Sequence, residues 1–126
     1  MKKLLFVLLL SISSVVHAQW TYIGEIDDAQ FFVDLTSIQQ VGQYKRVWLK
    51  TEYASNSRMS LKENIRSTRA LTEFDCREKK YRKLSFHAFK QSNLIDLDVT
   101  NNKSEEWQFI APKTVADAEL ILICKK

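Results

Sequence analysis

The sequence contains little glycine, proline or histidine, and each shortage narrows what the chain can do. Two glycines and one proline in 126 residues leave no linker, repeat or low-complexity tract, so we expect one folded unit. Of the two histidines, His17 lies in a segment that we expect to be removed, which leaves His87 as the only one. A catalytic thiol or a metal site built on thiolates usually needs histidine partners. The shortage of histidine therefore argues against both kinds of site.

The excess of positive charge is also small. The formal net charge of +4 includes Lys2 and Lys3, and without these two residues it falls from +4 to +2. A nucleic-acid-binding domain of this size usually carries a larger and more concentrated positive charge. We therefore expect no nucleic-acid partner.

The N-terminus has the three parts of a secretory signal peptide. Lys2 and Lys3 are followed by the apolar run Leu4 to Leu10, and then by Val16, His17 and Ala18 at the positions that a signal peptidase reads. The run is too short to span a bilayer. We predict cleavage after Ala18, a signal peptide at 1–18 and a domain at 19–126 without a transmembrane segment. No cysteine ends the apolar run, so we expect no lipid anchor, and location in the periplasm or at the cell surface.

Cys76 and Cys124 are the only cysteines. Two cysteines in a small exported domain most simply form a disulfide with each other. The alternative is a reactive or metal-binding thiol, for which the sequence offers no partner residues. We predict a Cys76–Cys124 disulfide.

Apolar and polar residues alternate along most of the chain, which is typical of half-buried antiparallel strands. Two intervening segments lack this pattern: Asp34–Ile38, where Asp34 is suited to cap one helical turn, and Ala54–Asn64, a polar segment interpreted as a mobile loop. The predicted strands are Trp20–Ile26, Phe31–Val33, Arg46–Tyr53, Thr68–Cys76, Lys80–Phe89, Leu94–Val99 and Glu106–Ile110.

The C-terminal segment has a different pattern. Ala116, Leu120, Ile123 and Cys124 fall on one face of a helix, although a buried strand would also fit the run Leu120 to Cys124. Thr114, with an acidic residue three positions later, resembles a capping box and favours the helix. We therefore predict an α+β fold, with a single antiparallel sheet, a short C-terminal helix on one of its faces and one disulfide.

A basic cluster follows Cys76, at or near the predicted hairpin turn. One interpretation is a solvated turn whose charges discourage pairing between strand edges. The other is a patch for an anionic partner, such as an acidic glycoprotein segment, a sulfated glycan or lipopolysaccharide, with Tyr81 adding a stacking contact. Trp48 lies on the polar side of its strand and is a second interface candidate. The candidate partner-binding residues are Lys79, Lys80, Tyr81, Arg82, Lys83 and Trp48, and Arg77 belongs to the same cluster.

The sequence contains no convincing catalytic or metal-binding constellation. Ser85 and His87 share one side of a strand but have no evident third group or oxyanion element. The acidic pairs Asp27-Asp28 and Asp96-x-Asp98 lack the ligand number and the glycine of a calcium loop. We expect no enzymatic activity, no cofactor and no metal.

Taken together, these features resemble the bacterial surface-adhesin protein E-like family, and the likeness covers nearly all of the chain after the signal peptide. It rests on the order and spacing of several short motifs. These are the Trp-led first strand at Trp20, the turn Val33-Asp34-Leu35-Thr36-Ser37-Ile38, Gly42 before Val47-Trp48, the run Glu73-Phe74-Asp75-Cys76 before Tyr81-Arg82, and Trp107, Ile110 and Pro112 before Cys124.

The resemblance implies an exported α+β domain with a family-type disulfide at Cys76 and Cys124. It implies no catalytic residue, because the family has no catalytic motif. The named member is an outer-surface adhesin that binds host matrix and serum glycoproteins, so the first hypothesis is an exported, non-enzymatic binding module for a protein or another anionic partner. That adhesin is a lipoprotein whereas this chain has no lipidation cysteine, so the alternative is a soluble periplasmic envelope protein, a scaffold or an inhibitor of another component.

Overall fold

The structure is a computed structural model that describes residues 18–90, 97–101 and 103–125. Most of the predicted signal peptide lies outside these residues, and so does the first half of the predicted strand Leu94–Val99. The strands are β1 (Trp20–Ile26), β2 (Ala29–Val41), β3 (Tyr44–Tyr53), β4 (Ile65–Asp75), β5 (Lys80–Lys90), β6 (Leu97–Asn101) and β7 (Gln108–Phe109), and the helices are α1 (Arg58–Lys62) and α2 (Val115–Cys124).

One antiparallel sheet contains all the described strands. Strands β1 to β6 pair in sequence order, and the short β7 pairs with the first residues of β5. Short turns join β1 to β2, β2 to β3 and β4 to β5, as antiparallel strands allow, whereas residues 54–64, which contain α1, join β3 to β4. The single antiparallel sheet with a C-terminal helix confirms the predicted fold.

The hydrophobic core lies between one face of the sheet and α2. Val33, Val47 and Phe74 come from three adjacent strands and are fully buried. They pack against Leu120 and Ile123 of α2, two residues of the predicted helical face. Side chains on neighbouring paired residues share a face, so the pairing defines a helix face and an opposite, open face. Among the described residues, α2 packs only on the helix face.

The cap predicted for α2 is present. Thr114 is the N-cap residue, and its Oγ1 accepts a hydrogen bond from the backbone N–H of Asp117 at 3.2 Å. The Asp117 carboxylate in turn accepts one from the backbone N–H of Lys113 at 3.0 Å. These bonds use N–H groups that a helix start leaves unpaired, so the sequence begins a helix here rather than a strand.

The predicted disulfide is confirmed. Cys76, just after β4, is bonded to Cys124, the last residue of α2, and their Cα atoms lie 5.8 Å apart. The bond therefore fastens the end of the helix to the middle of the sheet. Within the described residues no free cysteine remains.

The predicted helical turn at Asp34–Ile38 is wrong, because β2 continues through it. Asp34 pairs with Trp48 and Gln39 with Arg46, so the residues between them form a bulge. The expected capping bond still forms, since the Asp34 carboxylate accepts from the N–H of Thr36 at 3.0 Å. The bulge satisfies these local groups without ending the strand.

The prediction of a continuous loop at Ala54–Asn64 is also wrong. The helix α1 lies within it, and Ser57 caps the helix by accepting from the N–H of Ser60 at 3.1 Å. Ser60 is buried and donates to the carbonyl of Ile65 at 3.3 Å. Because α1 is a single turn held by two serines, it is too short to produce an apolar periodicity that the sequence would reveal.

Candidate functional site

The structure divides the predicted basic cluster among three places. Arg77 and Lys79 are exposed on the turn between β4 and β5, where the Asp75 carboxylate accepts from the N–H groups of Arg77 and Glu78, both at 3.0 Å. The next residues lie on β5, where alternation sends Lys80 and Arg82 to the open face. Tyr81 and Lys83 instead lie on the helix face.

Arg82 is part of an ion-pair network on the open face. Its Nε and Nη2 donate to Oε1 of Glu73 at 3.0 and 2.8 Å, and Nε of Arg46 donates to Oε2 at 2.7 Å. Glu73 is 1% exposed, and its carboxylate accepts hydrogen bonds from two guanidinium groups instead of from water. The network therefore links β3, β4 and β5 through Glu73, and Arg82 has a structural role in addition to carrying a surface charge.

Replacing Glu73 with glutamine should lower the free energy of unfolding by about 3 kcal/mol, the lower end for breaking a buried ion pair. The loss is moderated because Arg46 and Arg82 keep 36% and 30% of their side chains exposed and can regain water. Urea unfolding measures the change. Lys79→Gln, on the exposed turn, is the matched control and should change stability by less than about 0.5 kcal/mol. Equal stability of the two variants would show that the network contributes nothing.

The open face is a surface of cations placed over aromatic rings. Nζ of Lys50 lies 4.9 Å from the ring centre of Trp20 and 4.5 Å from that of Phe32. Further along, Arg82 lies 4.5 Å from the ring centre of Trp107, and Lys80 lies 5.3 Å from the same ring. A cation over a ring face is attracted by the electron density of the ring, while the opposite side of the cation can still contact a partner.

A concavity of about 390 Å³ opens in the middle of this face. Arg69 lies at its edge, with Cζ 5.6 Å from the ring centre of Trp20 and 5.1 Å from that of Phe89. Within the described part of the chain, no carboxylate forms an ion pair with Arg69. The rest of the lining is Asp34, Trp48 and His87, together with Ala18, the last residue of the predicted signal peptide. The geometry presents a guanidinium held in place by two rings and free to bind an anion.

Trp48 lies at the centre of the open face, as its place on the polar side of the strand predicts. Its ring centre is 5.8 Å from that of His87, and its backbone N–H donates to Oγ of Ser37 in the β2 bulge at 2.9 Å. His87 thus packs against a tryptophan ring on the open face, the face on which Ser85 also lies. Within the described residues no group of three or more potential metal ligands occurs.

Sequence reasoning did not identify Trp20, Arg69 or Phe89 as members of the site. These residues belong to three different strands, and they meet because of the register in which β1 to β5 pair. The only signal in the sequence was the alternation along β4, which places Arg69 on the side of the strand opposite its apolar residues. The signal does not say which residues of other strands lie beside it.

A second concavity, of about 290 Å³, lies between α2 and the helix face of the sheet. Burial raises the pKa of Glu119 in α2 to about 7, and the ammonium group of Lys83 partly opposes this rise. Burial also raises the pKa of Tyr81, with smaller contributions from the charges of Glu119 and Glu105. Burial raises the pKa of Tyr53 as well, against a hydrogen bond from Thr68 that lowers it.

Comparison with known proteins identifies the family and a solved structure with a similar fold. A family model described as Surface-adhesin protein E matches residues 20–125. Among solved structures, crystal form II of Haemophilus influenzae protein E is similar to this chain, with a TM-score of 0.61 and 13% identity, over 87% of this chain and 90% of that one. No curated protein sequence matches. The described residues contain no helix long and apolar enough to cross a membrane.

Proposed function

This chain belongs to the surface-adhesin protein E family, and from that membership we propose that it is an exported, non-enzymatic binding module whose open face binds an anionic segment of a partner protein. The observation that carries the proposal is the guanidinium of Arg69, which lies over Trp20 and Phe89 and pairs with no carboxylate in the described part of the chain. An acidic side chain of a partner would supply the missing counter-charge.

The surroundings of Arg69 support an interface with a protein. Tryptophan and arginine are enriched among the residues that dominate binding energy at protein interfaces. Trp48 and His87 form an aromatic floor beside Arg69, and the concavity is large enough for a partner side chain. Charged groups outside the concavity, such as Lys79 and Lys80, would mainly speed the encounter with an acidic partner.

The test is binding of purified protein to immobilised host matrix and serum glycoproteins by surface plasmon resonance. Arg69→Gln and Trp48→Ala should each weaken binding about tenfold or more, because both remove contacts at the centre of the site. Binding should also weaken as the salt concentration rises, since charge pairs are screened.

Lys79→Gln is the matched control, because it removes one positive charge at an exposed turn away from the concavity. It should change the dissociation constant less than about threefold and act mainly on the association rate. If Arg69→Gln bound as tightly as the wild type while remaining folded by circular dichroism, the open face would not be the binding surface.

A periplasmic scaffold or inhibitor is the second candidate function. Both cysteines found in the structure are bonded to each other, so neither carries a lipid that would hold the protein at the outer surface. Labelling of intact cells with an impermeant reagent separates the two candidates. A labelled protein supports the adhesin function, and a protein that is labelled only after the outer membrane is opened supports the periplasmic one.

A further inference from the structure

The concavity on the open face is lined in part by a residue that the processed protein should lack. Ala18 and Trp20 both belong to the lining, and the signal peptide is expected to be cleaved after Ala18. The bond that is cleaved therefore joins a lining residue to Gln19, which is exposed and directly precedes a second lining residue. Cleavage takes Ala18 out of the lining and leaves the α-amino group of Gln19 at the same place.

Cleavage also changes the charge at this place. Water adds across the peptide bond, so that Ala18 leaves with a carboxylate and Gln19 keeps a free α-amino group. Free α-amino groups titrate near pH 8 and are mostly protonated at neutral pH. A neutral amide at the wall of the concavity is therefore replaced by a cation.

The charges around the concavity determine what this cation adds. Among the described residues, the lining contains one carboxylate, that of Asp34, and one guanidinium, that of Arg69. If His87 is counted as neutral, these two charges cancel. The nearby Lys50 leaves the balance unchanged, because its Nζ lies 3.0 Å from Oε1 of Glu52. The α-ammonium group of the processed chain therefore gives the site an excess of one positive charge.

The Asp34 carboxylate is poorly placed to pair with the new cation. The residue is 6% exposed, and its Oδ1 accepts hydrogen bonds from both the backbone N–H and the hydroxyl of Thr36. These bonds hold the carboxylate within the β2 bulge, whereas Gln19 is exposed to solvent. The α-ammonium group is thus left for a negative charge that comes from outside the chain.

We propose that the α-ammonium group of Gln19, released by signal-peptide cleavage, is a second anion-binding group of the open-face site beside Arg69. This inference rests on the proposed function and on cleavage after Ala18. An acidic side chain of a partner protein restores electrical neutrality at the processed site, which it would not do at the unprocessed one. The open face therefore acquires its full affinity for an acidic partner only when the chain has been processed.

The side chain of Gln19 offers a way to remove this charge alone. In a chain that begins with glutamine, the α-amine attacks the carbon of the side-chain amide, ammonia leaves, and the pyroglutamate ring that forms is neutral. Glutaminyl cyclase catalyses this step, and the intact mass shows the loss of ammonia. The free and cyclised forms of residues 19–126 then share every other residue and differ in one positive charge.

The first experiment compares the two forms on immobilised host matrix and serum glycoproteins by surface plasmon resonance. The free form should bind about threefold more tightly at pH 7, as expected for a partly exposed charge pair. The two affinities should converge near pH 9.5, where the α-amino group is mostly neutral. Gln19→Ser keeps the ammonium group but cannot cyclise, so its binding should be the same before and after treatment with the cyclase.

The comparison between the two forms isolates the α-amino group from the other charges at the site. The other charged or titratable side chains there are Asp34, Lys50, Arg69 and His87. They are the same in both forms, so their titration cancels in the ratio of the two affinities.

The second experiment needs no partner protein. Iodide quenches tryptophan fluorescence more strongly where positive charge lies nearby. Trp20→Phe removes the tryptophan next to the N-terminus, so that Trp48 reports on the concavity, while Trp107 lies beside Arg82 and serves both forms alike. In this variant, iodide should quench the free form more strongly than the cyclised form at pH 7, whereas neutral acrylamide should quench both equally.

The inference is overturned if iodide quenches the free and cyclised forms equally at pH 7. It is also overturned if both forms bind the glycoproteins equally while Arg69→Gln abolishes binding, and in that case the proposed function stands without Gln19. If iodide distinguishes the two forms but neither binds a glycoprotein, the proposed function is overturned, whereas the place of the ammonium group at the concavity is supported.

Discussion

Replacing both Cys76 and Cys124 with serine is expected to lower the free energy of unfolding by about 4 kcal/mol. The disulfide joins residues 48 positions apart, and closing a loop of that length removes much conformational freedom from the unfolded chain. It also fixes the last turn of α2, which covers the core residue Phe74. For a single small domain, such a loss is a large share of a total stability of about 5–15 kcal/mol.

Urea unfolding of the oxidised protein, the reduced protein and the double serine variant measures this effect. The reduced protein and the variant should unfold at the same urea concentration, well below that of the oxidised protein. Titration of the unreduced, denatured protein should find no free thiol. Unfolding free energies that agree within about 1 kcal/mol in all three samples would contradict a stabilising role for the bond.

The main features of the fold follow from the sequence, because alternation, turns and caps are local signals. The run from Arg46 to Tyr53 alternates, and the structure contains a strand there. Thr114 satisfies backbone groups at the start of α2, and so it distinguishes a helix from a strand where apolar periodicity does not.

The bulge in β2 was not predictable in the same way. Asp34 and Ser37 make the same local hydrogen bonds in a bulge as in a helical turn, so the residues themselves do not choose between the two. The choice is made by β3, whose residues Trp48 and Arg46 pair on both sides of the bulge. Pairing between strands is a property of the whole sheet, which a local reading does not contain.

The candidate site, like the fold, was predictable only in its local features. Sequence reasoning recognised Trp48 and the basic residues after Cys76, but it treated the latter as one cluster. On a strand, neighbouring side chains point to opposite faces, so Arg82 joins Glu73 on the open face while Lys83 lies beside Glu119 near α2. Arg69 became part of the site only through the register of β4 with its neighbours.

The burial of Glu119 was not predictable from the sequence, since a glutamate on a helix is usually exposed. Its burial follows from how α2 rests on the sheet, which the disulfide and the contacts of Leu120 and Ile123 determine. Buried carboxyl groups with a raised pKa cluster at functional sites. The raised pKa of Glu119 also makes the stability of the protein depend on pH, which can be measured.

The free energy of unfolding should fall by about 3 kcal/mol between pH 4.5 and pH 7 because of Glu119 alone. Its pKa is 4.5 in the unfolded chain and about 7 in the folded protein. Within this interval the folded state holds a proton that the unfolded state has released, so stability decreases as the pH rises. The contribution is fully present below pH 4.5 and is lost above pH 7, where both states are ionised.

Urea unfolding at pH 4.5, 6 and 8 of the wild type and of Glu119→Gln isolates this contribution, because other titrating groups are common to both proteins. The variant should be more stable than the wild type at pH 8 by about 3 kcal/mol, and the difference should nearly vanish at pH 4.5. Glu105→Gln is the matched control, since Glu105 is exposed and lies near Tyr81. A stability difference between Glu119→Gln and the wild type that does not change with pH would mean that the carboxyl remains hydrated in the folded protein.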